Sequence, residues 1–177
     1  MRADCGGLCT NSARFFVHET HSREDFRFGV SGDLSVGGGA SFGGMKLVSI
    51  RLITADVKRL VSFYEMVTGA DAIWANELFA EIPTPVGVLA IGSDKTVPLF
   101  GAGSAEPAAN RSAIIEFIVT DVDAEYARLD GRLDEVVTEP TTMPWGGNRA
   151  LLFRDPDGNL VNLFTPVTDD ARAKFGV

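Results

Sequence analysis

The sequence predicts an α+β protein made of two tandem β-α-β-β-β modules that form an open, curved mixed sheet around a cleft. Three observations predict it. Short β-branched runs with period-two alternation are interrupted twice by a segment of helical period, each opened by an aspartate. The stretch Ile50 to Val57 recurs 65 positions later as Ile115 to Val122, with Asp56 answered by Asp121. A strong turn, Asp155-Pro156-Asp157-Gly158, separates the last two strands, because proline fixes φ and glycine accepts a positive φ.

The elements follow in order. Leu47 to Ile53 reads as a strand. Asp56 then offers a side-chain oxygen to the free amides of a first helical turn. Val57, Leu60, Val61, Tyr64 and Val67 follow at helical spacing, and Gly69 ends the helix. Ala72 to Trp74, Leu78 to Ile82 and Val86 to Ile91 read as strands with Pro and Gly turns between them. In the second half, Ala113 to Val119 is a strand and Asp121 caps a helix carrying Val122, Tyr126 and Leu129, with Gly131 near its end. Glu135 to Val137, Arg149 to Phe153 and Leu160 to Phe164 complete the repeat. The modules are placed at about 45–100 and 112–167, joined by a Gly-, Ala- and Pro-rich linker at 101–111, with a C-terminal tail at 168–177. One sheet with one helix covers a single face, so two modules side by side can enclose a cleft between their uncovered faces.

Residues 1–44 read as a flexible tail. They hold nine of the nineteen glycines and show no sustained apolar period. Both cysteines, Cys5 and Cys9, and both histidines, His18 and His21, lie there, in a spacing that fits no usual zinc finger. From Met45 onward there is no Cys and no His. Disulfides, thiol nucleophiles and imidazole bases are therefore excluded from the domain, and with them the Ser-His-Asp and Cys-His arrangements.

The formal charge of −8 repels phosphate backbones, so nucleic acid is not an expected partner. No run of eighteen apolar residues exists, so no membrane contact is expected, and without a signal-peptide pattern the expected compartment is the cytoplasm.

Residues Met45 to about Val167 resemble the vicinal oxygen chelate superfamily, which includes glyoxalase I, extradiol dioxygenases and bleomycin-resistance proteins. The matching residues are the Asp56 helix with Phe63-Tyr64 and Gly69, the Thr120-Asp121-Val122-Asp123-Ala124 stretch, and Phe153-Arg154-Asp155-Pro156-Asp157-Gly158-Asn159-Leu160. The resemblance implies paired modules with a ligand cleft between them. It implies that metal-using relatives carry histidine seven residues before each capping aspartate, where this chain has Ser49 and Ile114. It implies a glutamate on the last strand, where this chain has Asn162, and a counterpart on the late strand of the first module, where Leu89 and Ile91 stand. A hydroxyl, an amide and hydrocarbons do not make a divalent-ion site, so no cofactor and no metal are expected. The resemblance leaves a homodimer, with or without module exchange, as one of the assemblies open to the chain.

Strand alternation assigns Ser49 and Arg51 of the first module, with Ile114 and Glu116 of the second, to the cleft. Arg51 and Glu116 hold equivalent places, either as a ligand-orienting pair with Glu116 as a candidate acid or base, or as an ion pair joining the modules. Trp145, in a Pro-Gly loop, either closes over the cleft or plugs the end of the core. Leu89, Ile91 and Leu160 are candidate apolar walls, and Arg149 either holds an anion or pairs with an acid such as Asp155. The expected function is metal-independent binding of a hydrophobic or aromatic small molecule. The alternatives are a metal-free lyase or isomerase using Glu116, or an atypical metal-dependent lyase or dioxygenase.

Overall fold

The computed structural model describes residues 47–144 and 147–177; the tail expected at 1–44 and Trp145 lie outside the described residues. Strand β1 (Ser49–Thr54) leads into helix α1 (Val57–Thr68), then β2 (Ile73–Asn76), β3 (Phe79–Pro83) and β4 (Val88–Ser93). A 3-10 turn at Asp94–Leu99 follows. The second module repeats the order with β5 (Ile114–Ile118), α2 (Val122–Arg128), β6 (Val136–Thr142), β7 (Asn148–Arg154) and β8 (Leu160–Pro166). Each module is a four-stranded mixed sheet, ordered β1-β4-β3-β2 and β5-β8-β7-β6. In each, the first strand pairs in parallel with the last, because the helix carries the chain across the sheet.

Local chemistry starts and stops the helices. Asp56 accepts from Arg59 N at 3.1 Å, and Gly69 closes α1 in the left-handed region at φ 70° with its N–H on the Glu65 carbonyl. Asp121 accepts from the amides of Asp123 and Ala124 at the start of α2. The last residues, expected as a tail, form a third helix, α3 (Asp169–Phe175). Thr168 caps it, its Ala171 is buried, and the Phe175 ring lies 5.2 Å from Phe164, which together seat it.

One core spans both modules. Leu60, Val61 and Tyr64 of α1 share a buried cluster with Ile82, Leu89 and Ile91 of the first sheet, and with Leu151, Phe153, Val161 and Leu163 of the second. Phe63 meets Phe153 at 6.1 Å between ring centroids, and Tyr64 meets Phe117 at 6.5 Å. Helix α1 therefore touches the helix-bearing face of the other module as well as its own sheet. Across the same junction, Arg128 of α2 donates to the Met66 and Val67 carbonyls at 2.8 and 2.7 Å, satisfying the open end of α1.

The turn at 155–159 fastens the modules. Asp155 is buried and accepts from the Tyr64 hydroxyl at 2.8 Å, from Asn159 Nδ2 at 2.7 Å, and from the amides of Asp157 and Asn159. Asp157 takes an ion pair from Arg59 of α1. Burial first, and then the Asp155 carboxylate, push the Tyr64 hydroxyl far above the ordinary tyrosine range. The folded state thus favours the neutral phenol. Its contribution is complete below the value of about 10 for free tyrosine and is lost as pH rises above that. We expect urea-unfolding stability to fall above about pH 10, and Tyr64→Phe to cost about 1–2 kcal/mol at pH 7 while flattening that alkaline decline.

Candidate functional site

Register decides which side chains share a face. In the first sheet, Arg51 pairs with Ala90 and Ala90 with Glu81, so these three form a row on the face away from the core. Leu52, Ile91 and Ala80 form a row on the helix side. In the second sheet, Glu116, Asn162 and Leu152 share one row of the open face, and Ile114, Leu160 and Arg154 share the next.

Two expected site residues, Ile91 and Arg149, consequently lie elsewhere. Leu89 and Ile91 are both buried on the helix side, within the core, though Leu89 also borders the groove between the modules; the open face of β4 presents Val88, Ala90 and Gly92. Arg149 stands on the same side of β7 as Leu151 and Phe153, facing α2. There it makes two bonds to the Asp123 carboxylate, at 2.6 and 2.7 Å. Its partner is Asp123 rather than Asp155, whose oxygens are taken by Tyr64, Asn159 and two amides. The pairing holds the Asp123 carboxyl below its usual range and raises Arg149, chiefly through the hydrogen bond.

Ser49, Arg51, Ile114, Glu116, Leu160 and Asn162 do occupy the open faces. Asn162 donates to Glu116 at 2.8 Å, and the Asn162 Oδ1 atom is buried without a partner among the described residues. Arg51 and Glu116 form no ion pair with each other: among the described residues Arg51 has no carboxylate within salt-bridge distance. Its guanidinium lies instead 4.9 Å from the centroid of Phe79 and 5.3 Å from that of Phe100.

Between the modules lies a groove of about 1040 Å³. Ile50, Val86, Val88, Ile118, Phe164 and Phe175 supply much of its apolar lining; its polar lining is Ser49, Thr68, Thr84, Glu116 and the Glu125–Arg128 ion pair. Ile50 is 50% exposed and Ile118 42% exposed, so the chain leaves a substantial hydrocarbon surface facing this space. Most of this lining went unnoticed in the sequence. Val86 and Val88 look like ordinary strand residues, and nothing local announces that Phe175 returns to Phe164.

The donors do not suit a divalent ion. At the places where metal-using relatives carry ligands the chain offers the Ser49 hydroxyl, the Ile114 hydrocarbon and the Asn162 amide, and the open-face carboxylates Glu81 and Glu116 stand on separate sheets. No group of three His, Cys, Asp or Glu side chains able to hold a metal occurs among the described residues.

A family model for the Glyoxalase/Bleomycin resistance protein/Dioxygenase superfamily matches residues 46–163. The chain belongs to this superfamily. The uncharacterized protein YraH of Bacillus subtilis (strain 168) is 30% identical over 125 residues, covering 68% of this chain and 98% of YraH. Two solved structures show the same superfamily fold. A glyoxalase/bleomycin resistance protein/dioxygenase from Nocardioides aligns with a TM-score of 0.59 at 22% identity, over 72% of this chain and 87% of that one. A family enzyme from Burkholderia phytofirmans PsJN aligns with a TM-score of 0.61 at 16% identity, over 69% and 99%. At these identities the superfamily likeness speaks for the fold alone. No described helix is long and apolar enough to cross a membrane.

Proposed function

We infer that this superfamily member binds a small, largely apolar molecule in the groove between its modules, without a divalent ion. The observation that carries the reading is the lining itself: hydrocarbon and aromatic side chains from both modules converge on one space of ligand-pocket size, with few polar groups among them. Removing such a surface from water is the main favourable contribution to binding. Ser49 and Glu116, on its two sides, orient a ligand rather than activate it. The poverty of strong donors on the open faces supports the metal-free part of the reading.

The test uses N-phenyl-1-naphthylamine, a neutral dye that brightens in apolar surroundings. Wild-type protein is expected to bind it saturably. Ile118→Glu places a charge in the lining and is expected to weaken binding by about tenfold or more, with unchanged far-ultraviolet circular dichroism. Absence of saturable binding sinks the groove reading. A tightly held, stoichiometric transition metal in protein from its own host, found by elemental analysis, overturns its metal-free part.

A further inference from the structure

We propose that Arg51 is the anchor for an anionic group on the ligand, so that the groove takes an apolar planar body carrying a carboxylate: an aromatic or similarly flat organic acid. This rests on the small-molecule reading above and narrows it to a chemical class. Four observations carry it.

Among the described residues the Arg51 side chain has neither a hydrogen bond nor a carboxylate within salt-bridge distance; Arg59, Arg128, Arg149, Arg154 and Arg172 have an acid partner, while Arg111 and Arg132 have none but are not flanked by two aromatic rings beside the groove. The nearest acid along its own row, Glu81, stands two strands away, about 10 Å at ordinary strand spacing.

The side chain is also held in place. A Cβ on Gly92 would meet Arg51 Cδ at 3.7 Å, Phe79 Cδ2 at 3.7 Å and Ile53 Cδ1 at 3.5 Å, so the Arg51 stem and the Phe79 ring lie side by side over that glycine. Phe79 and Phe100 both lie within cation–π distance of the guanidinium. Neither ring takes up an N–H donor in a hydrogen bond, so among the described residues the guanidinium fork, which matches the two oxygens of a carboxylate, is left for an acceptor.

Arg51 is next to the groove. It shares a strand face with Ser49, two residues back and about 7 Å along β1, and Ser49 with its partner Val88 lines the groove. A flat apolar body against Val88 and Ile118 can therefore present an acid group to Arg51. Finally, the net charge of −8 disfavours anions at long range, so recognition of one requires a specifically placed cation.

The experiment displaces N-phenyl-1-naphthylamine with 2-naphthoate and with 2-naphthalenemethanol, which share a ring system and differ in the acid group. Wild type is expected to prefer the carboxylate by about fivefold to tenfold at low salt, less at high salt. Arg51→Gln is expected to abolish that preference and leave affinity for the neutral alcohol and the dye unchanged. Arg51→Lys is expected to keep only part of it, because an ammonium lacks the planar fork. Equal affinity of wild type for acid and alcohol overturns the proposal, as does a preference that survives in Arg51→Gln. Light scattering of both proteins covers the competing acceptor: a wild-type dimer that Arg51→Gln splits into monomers assigns Arg51 to a carboxylate on a second copy and overturns the ligand role. If the dye fails to bind, the groove reading falls alone, and calorimetric titration of 2-naphthoate still decides Arg51; equal heats with wild type and Arg51→Gln overturn it.

Discussion

Asp155→Ala is expected to destabilise the protein by about 3–5 kcal/mol, seen as a large drop in the urea midpoint of unfolding. Asp155 is 4% exposed and its two oxygens receive four donors: the Tyr64 hydroxyl, the Asn159 amide and two backbone N–H groups. Alanine removes every acceptor at once. The backbone donors belong to a tight turn and the Tyr64 hydroxyl is buried, so none reaches bulk water without local opening. Asp155→Asn retains the shape and one acceptor oxygen, but turns an N–H₂ group toward donors. It is expected to fall between wild type and alanine. Equal stability of Asp155→Ala and wild type would show that the turn is not what joins the modules.

Phe153→Ala is expected to cost about 3–5 kcal/mol and, more tellingly, to loosen the first module from within the second. Phe153 is fully buried on β7 and its ring packs on Phe63 of α1. Truncation leaves a cavity against α1, and the same helix carries the Tyr64 and Arg59 contacts to the turn. With a single shared core, hydrogen exchange of α1 amides should rise together with that of β7 and β8, in one cooperative step. Faster exchange confined to the second module would mean that the halves are independent folding units. The cluster joining Leu60 and Tyr64 to Leu151, Phe153 and Leu163 argues against that outcome.

Much of the architecture could be read from local pattern. The aspartate caps, the left-handed Gly69 and the repeat of the Ile50 stretch at Ile115 announce helices and strands through forces that act within a few residues. Placement of side chains on faces was less secure. A strand has period two, so the face of β4 depends on where its pairing with β1 begins. Val88 meets Ser49 and Leu89 meets Ile50, which turns Leu89 and Ile91 inward and leaves Ala90 beside Arg51. The partner of Arg149 was equally hidden. Asp123 lies 26 residues away, and only the seating of α2 over β7 brings the two together. The α3 helix shows the same limit: its Thr168 cap is local, but its reason to dock is Phe164 on another element.

The sequence by itself determined the family, the two-module order, the strand and helix pattern, and the absence of imidazole and thiol chemistry from the domain, because each depends on residue type and short-range spacing. Tertiary structure alone decided that α1 is buried against both modules, that Arg51 lies against Phe79 and Phe100 rather than on Glu116, and that a largely apolar groove runs along the junction. Those outcomes depend on register and on packing between distant segments, where the free energy comes from surfaces that meet only after the chain has folded.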